Sequence, residues 1–343
     1  FRRVLFRSGG GGSGARGTAR GGLCSRGISG SATSNRAYLR VINPPTITTQ
    51  PEDKTVKEGN TATFTVAATQ GETEGVSYQW QSGASSKEIM PTISNATIDT
   101  ANHKFTSTAT ENQFVLPTTL VTPGYTYKWQ ITLSSAYEFT IKSVDTNCND
   151  YHGSKYYGND PAISNKGITP TAGTTIAANT PTTITVYAKV ASDAKDPYLC
   201  HNFKIEPSMS GQVFNYSNPQ VISEDGGQVW TAISNATGTS YTTPNATAAM
   251  NGNKYRVRAY TTGYSASEAS RVATLSVQTT YTVKHLQMNL DDTTYTEVAS
   301  NTYDAVIGTS VTPAVNTYAG FTSPATQTVT VEGNGATVVE YIY

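Results

Sequence analysis

The stretch Pro44–Thr69, PPTITTQPEDKTVKEGNTATFTVAAT, followed by VSYQW at Val76–Trp80, decides the fold. Its apolar and β-branched residues alternate with polar ones on either side of an Asp/Gly/Asn turn signal, the period-two signature of half-buried strands. Three strands fit there. A second stretch, Gly226–Val277, reads GGQVWTAISNATGTSYTTPNATAAMNGNKYRVRAYTTGYSASEASRVATLSV and supplies about four more. No segment of the chain has helical periodicity, so the fold class is all-β.

Working outward, the chain has 343 residues, of which only 14% are charged. A prior of roughly 100–200 residues per domain gives two to four domains. No apolar run approaches the roughly 18 residues of a spanning helix, so no membrane span is expected. The formal charge of zero conceals eight Arg and no acid in the first forty residues, against a body of net −8. Nucleic acid is excluded as a partner, because phosphate binding needs a concentrated basic face. Phe1–Ser8, FRRVLFRS, looks like a translated sequencing adapter and carries no fold information. With the Gly-rich stretch that follows, residues 1–43 are expected to be a disordered tail.

The segments 44–83 and 223–279 together resemble the immunoglobulin-like domains of bacterial surface proteins. Val66 stands at the family's first core Cys position, Trp80 at the strand-C Trp, and Val257 at the second Cys position. Tyr255, two residues earlier, takes the tyrosine-corner place. Both Cys being Val, the resemblance implies a Trp held by packing alone. About 140 residues separate the halves, and two arrangements compete. In a tandem pair, 44–145 and 162–279, Trp129 would overfill the second Cys position of the first unit and Gln220 would bury an unpartnered amide in the second. In a nested arrangement, one core holds Val66, Trp80 and Val257, and residues 84–222 form a domain inserted at a loop. Core chemistry favours nesting; the tandem pair stays as the alternative.

The insert runs through GYTYKWQITL, AYEFTIKSV, TTITVYAKV and CHNFKIEP, each alternating and separated by Pro, Gly, Asn or Asp. This is the pattern of a second β-sandwich, similar to jelly-roll modules of surface and polysaccharide-associated proteins. From Tyr281 to Tyr343 the chain resembles the internalin B-repeat and mucin-binding-protein-like repeats, small β-grasp modules. The features are Tyr281-Thr282-Val283-Lys284-His285, Tyr318-Ala319-Gly320-Phe321 and Val338-Val339-Glu340-Tyr341. These resemblances imply an extracellular or cell-surface location. They also imply an oxidising exterior, in which Cys148 and Cys200 would form a disulfide.

Motifs of catalysis are not found. His103, His152, His201 and His285 lack metal-ligand spacing and read as surface or strand residues, and no nucleophile elbow precedes a helix. Asp291-Asp292 reads as a hairpin turn. One loop, Asp145–Asp160, combines oxygen ligands with aromatic rings. Tyr151, Tyr156 and Tyr157 would stack on sugar rings, while Asn149, Asp150 and Asn159 would bond hydroxyls. A structural Ca²⁺ there is the one cofactor considered, and no other metal is expected. The expected function is a non-catalytic stalk or adhesin segment whose partner is a host or cell-surface glycan or protein. The alternatives are a carbohydrate-binding module of a surface polysaccharide system and an accessory region of an enzyme whose catalytic domain lies outside this sequence.

Overall fold

The structure is a computed structural model that describes residues 44–343, except 71–74, 146–162, 191, 193–197, 200–201, 264–266 and 292. The described residues are all-β; their one helical turn is the 3₁₀ turn Ala248–Met250. Strand Thr126–Ser135 shows why. Its even-spaced Tyr127, Trp129, Ile131, Leu133 and Ser135 are buried and the residues between them are half-exposed, so a pleated ribbon sorts them onto two faces.

Three apolar clusters organise the chain. The first gathers Ile47, Phe64, Val66 and Trp80 with Tyr255, Val257, Leu275 and Val277. Its main sheet runs, in order, Lys54–Lys57, Ala273–Met288, Lys254–Thr261, Val76–Ala84 and Val229–Ala232. Trp80 lies directly opposite Val257 in that register. The short pairs Thr46–Thr49 with Ala67–Thr69, and Thr63–Thr65 with Ser240–Thr242, contribute Ile47 and Phe64 to the same cluster.

Strands Val76–Ala84 and Val229–Ala232 are hydrogen-bonded neighbours, so residues 85–228 leave the first sheet and return at the same edge. Between those points lies the second cluster, rich in aromatics. Phe105 stacks on Phe214 at 4.7 Å and Phe114 on Phe203 at 4.5 Å, with Trp129 tilted against Phe203 at 5.4 Å. Two sheets enclose it. One is ordered Thr175–Ile176, Phe139–Asp145, Asn202–Pro207, Asn112–Val115, Thr92–Ile93; the other is ordered Ile163–Thr169, Thr182–Val190, Thr126–Ser135, Val213–Ser223, Lys104–Ser107, Ala96–Asp99. Each of the four segments singled out in the sequence of this region contributes a strand: Thr126–Ser135, Phe139–Asp145, Thr182–Val190 and Asn202–Pro207.

The third cluster holds Val283, Val339, Tyr341 and Tyr343, with Tyr281, Tyr318 and Phe321 packed on it. It hangs on Ala273–Met288, a strand of 16 residues that crosses from the first cluster to the third without a break. At about 3.4 Å per residue such a strand is roughly 50 Å long. The boundary drawn from sequence at 279–281 therefore falls inside one strand. Tyr295–Val306 pairs antiparallel with its second half and Val338–Ile342 pairs parallel with 282–286. Asp291 closes the hairpin between the first two: its carboxylate accepts the backbone N–H groups of Thr293 at 3.0 Å and Thr294 at 2.9 Å. The Thr294 hydroxyl, which donates to the other carboxylate oxygen at 2.5 Å, and then these two N–H bonds hold its carboxyl down at about 2.

Candidate functional site

Strand Lys254–Thr261, KYRVRAYT, is buried on both faces. Tyr255, Val257, Ala259 and Thr261 point into the first cluster; Arg256, 4% exposed, and Arg258, 8% exposed, point the other way. On that second face Arg256 sits opposite Gln81 and its Nε donates to Gln81 Oε1 at 2.7 Å. Its guanidinium carbon lies 4.4 Å from the centroid of the Trp230 ring, within the range of a cation–π contact.

Trp230 is placed by two neighbours. It pairs with Gly83, where a Cβ would stand 2.8 Å from Trp230 Cζ3, so only glycine lets the indole lie flat across the strand. Its Nε1 donates to Thr122 Oγ1 at 3.0 Å. Thr122 belongs to the segment containing the second cluster, and it is fixed from both sides: Gln228 N–H donates to its hydroxyl at 3.2 Å, and its own N–H is shared between the Gln228 carbonyl at 3.1 Å and the Tyr127 hydroxyl at 2.9 Å. Tyr127 in turn donates to the Gln228 carbonyl at 3.1 Å, and burial pushes its phenol up to about 12.

Around this contact opens a groove of about 450 Å³ with Trp230 and Arg256 on its floor. Pro44 and Pro123 flank it, and the segment from Ser267 to Val272, which includes Glu268 and Arg271, forms the far wall. Trp230 is 3% exposed and its ring is covered by the Arg256 guanidinium, so what the groove offers a ligand is its polar rim: the Thr122 and Ser267 hydroxyls, Glu268 and Arg271. Nothing in it resembles a nucleophile–base pair, and among the described residues no cluster of three His, Cys, Asp or Glu side chains could hold a metal. No helix among them is long and apolar enough to cross a membrane.

The residues singled out from sequence are distributed differently. Val66, Trp80, Tyr255 and Val257 meet in the first cluster. Phe64 lies 4.9 Å from Tyr255, and Trp80 Nε1 donates to the Gly238 carbonyl at 3.0 Å. Cys148, Asn149, Asp150, Tyr151, Tyr156, Tyr157, Asn159 and Cys200 lie outside the described residues, so the expected sugar-binding loop, its Ca²⁺ and the disulfide are not placed. His285, read as a surface or strand residue, is on a strand and 3% exposed. It is enclosed by Tyr318, Tyr341 and Tyr343, and its Nδ1 stands 2.7 Å from the Tyr343 hydroxyl.

Sequence reasoning missed Trp230, Arg256 and Thr122. The alternation of KYRVRAYT does put Arg256 on the face opposite Val257, but an Arg at an alternate position ordinarily marks solvent. The available signal was Trp230 itself, a large aromatic in a strand whose partner carries Gly83. Comparison of the chain with protein-family models, with curated proteins and with solved structures finds no match.

Proposed function

We propose that this chain is a non-catalytic segment of an extracellular surface protein, a stalk or adhesin. In this reading an immunoglobulin-like sandwich of residues 44–83 and 223–279 is interrupted by a second sandwich, 84–222, and followed by a β-grasp-like repeat, 281–343. The observation that carries it is strand Ala273–Met288, which is common to the first and third clusters. Modules that share a strand have no hinge between them, which suits a spacer that must hold a surface away from a cell. The separate memberships of the Trp80 and Trp129 clusters support the nested arrangement.

Immunogold labelling of the producing cells is the test of location and role. Label on the exterior is expected; label confined to the interior overturns the reading. Turnover of a polysaccharide or peptide by the purified chain, lost on substitution of one of its residues, would overturn the non-catalytic part.

The polar rim of the groove, with the Thr122 and Ser267 hydroxyls, Glu268 and Arg271, favours one second reading, a carbohydrate-binding module. In that case glycan-array binding by the whole chain falls when Arg271, at the rim, is replaced by Ala; no binding to any glycan by the unaltered chain removes this second reading.

A further inference from the structure

The first and last strands that flank Ala273–Met288 run in its own direction. Lys54–Lys57 pairs parallel with Leu275–Gln278, and the next residue continues the ladder, Glu58 N–H donating to the Gln278 carbonyl at 2.9 Å. Val338–Ile342 pairs parallel with Thr282–Leu286, its ladder extended by Thr282 N–H to the Thr337 carbonyl at 3.0 Å and Tyr343 N–H to the Leu286 carbonyl at 2.8 Å. In a parallel pair both chains point the same way. The chain therefore arrives at Lys54 from one end of the shared strand and runs past Ile342 at the other.

We infer that these two overlaps are lap joints that carry tension through the molecule in shear, and that the sandwich built from residues 85–228 is held outside the path of that tension. The inference rests on the stalk reading and gives it a physical device. Pulling residues before Lys54 away from residues at Tyr343 slides Lys54–Lys57 and Val338–Ile342 along the shared strand in opposite directions. Every ladder bond of a joint is then strained at once, whereas an antiparallel hairpin opened from its ends loses its bonds one after another.

Side braces keep the shared strand from turning between the joints. The Asn251 side chain accepts the Val277 N–H at 2.8 Å and donates to the Ile307 carbonyl at 2.7 Å. Lys57, on the first joint, pairs at 2.5 Å with Asp304 of the antiparallel strand Tyr295–Val306. Glu58 accepts the Asn334 N–H at 2.8 Å, and Thr279 accepts the Gly335 N–H at 3.0 Å. Meanwhile residues 85–228 leave and return at Ala84 and Val229, the edge of the first sheet opposite Lys54–Lys57. Tension enters at one edge and the displayed sandwich hangs from the other. A surface module mounted this way stays folded while its support is stretched.

Single-molecule force spectroscopy on the whole chain, with handles fused at both ends, tests this. Thr46–Thr49 has only three register pairs and a bulge, so it detaches first and at low force. The joints rupture next as the strongest of the outer events. The release of residues 85–228, about 500 Å of extended chain, follows and never precedes it. Two substitutions read the mechanism. By the two-residue repeat of the ladder from Glu58, the Val56 N–H faces the shared strand and the Thr55 N–H faces away; proline lacks the donor. Val56→Pro is expected to lower the rupture force by at least about half, while Thr55→Pro leaves it unchanged. Equal forces in the unaltered chain and Val56→Pro overturn the inference. So does a 500 Å step that comes first in the unaltered chain, a result that needs no variant to fold. A surface-located chain that fails either way keeps the stalk reading and loses the joints.

Discussion

Replacing Trp80 by Ala should unfold the first cluster selectively, and the structure sets the size of the effect. Trp80 is fully buried, and its ring centroid lies 6.4 Å from that of Phe64 and 6.1 Å from that of Tyr241. A buried Trp removes about 200 Å² from water, worth about 5 kcal/mol at 25 cal/mol per Å². A compact unfolded state reduces that by roughly 10–40%, to about 3–4.5 kcal/mol. The Gly238 carbonyl also loses its indole donor, which adds about 1 kcal/mol. The expected cost is thus about 4–5 kcal/mol, at the upper end of measured Trp-to-Ala losses. Trp80→Phe keeps most of the area and should cost about 1–2 kcal/mol. Urea denaturation of the whole chain, followed by far-ultraviolet circular dichroism and by tryptophan fluorescence, is the assay. Trp129→Ala acts on the other cluster, so the double variant should cost the sum of the singles within about 0.5 kcal/mol. A Trp80→Ala cost under about 1 kcal/mol, or a coupling well above 0.5 kcal/mol, would refute the reasoning.

Gly83→Ala drives a methyl to 2.8 Å from Trp230 Cζ3 and should cost about 1–3 kcal/mol, with a red shift of Trp230 emission; an unchanged melting temperature and spectrum would show that the indole has room to move. Burial holds His285 below the usual His range. Its Nδ1 faces the Tyr343 hydroxyl, which already accepts the Asn316 N–H, so that hydroxyl donates its own proton to a neutral ring. The unfolded chain then binds the proton more readily, and the stability His285 contributes is complete above pH 6.5 and shrinks as pH falls below it toward the folded value. The difference in melting temperature between the unaltered chain and His285→Gln should therefore narrow from pH 8 to pH 5, and a constant difference counts against it. Tyr127 has the opposite sign: a phenol raised to about 12 contributes stability below pH 10 that disappears as pH rises from 10 to 12. Ultraviolet titration should show Tyr127→Phe removing one late-ionising phenol; an unchanged alkaline titration curve would contradict the burial.

What the sequence made legible is what alternation encodes. Tyr127, Trp129, Ile131 and Leu133 sit at every second position and are buried, so strand and inward face follow together from the residues. Trp80 and Val257, singled out by resemblance and not by alternation, lie opposite each other in register and are both buried. Alternation says which side of a strand is apolar; it says nothing about what covers the polar side. That is why Arg256 and Trp230 escaped notice. Their face is closed by Thr122, which reaches Trp230 across 108 positions of chain through a single hydroxyl, and no local pattern announces such a contact. His285 escaped for a related reason: its shield is assembled from Tyr318, Tyr341 and Tyr343, each unremarkable in its own segment.

The shared strand shows how much that blindness matters for function. Read locally, Ala273–Val277 completes one alternating pattern and Tyr281–His285 opens another, and a module boundary is drawn between them. Yet Gln278, Thr279 and Thr280 keep the extended conformation because they have partners: Gln278 pairs with Lys57 on one side and Val306 on the other, while Thr279 and Thr280 pair with Ala305 and Asp304. A strand whose ladder with a neighbour continues unbroken on one side has no reason to break where its side chains turn polar. Polar composition marks a boundary only if the backbone there is left to water. At 278–280 the ladder with Asp304–Val306 runs on, so two modules that look separate in sequence share one continuous strand. The parallel partners at its two ends then follow from chain order alone, one strand preceding the shared strand and the other following it. That arrangement places both ends of the described chain in shear across a single backbone, a property no window of sequence contains.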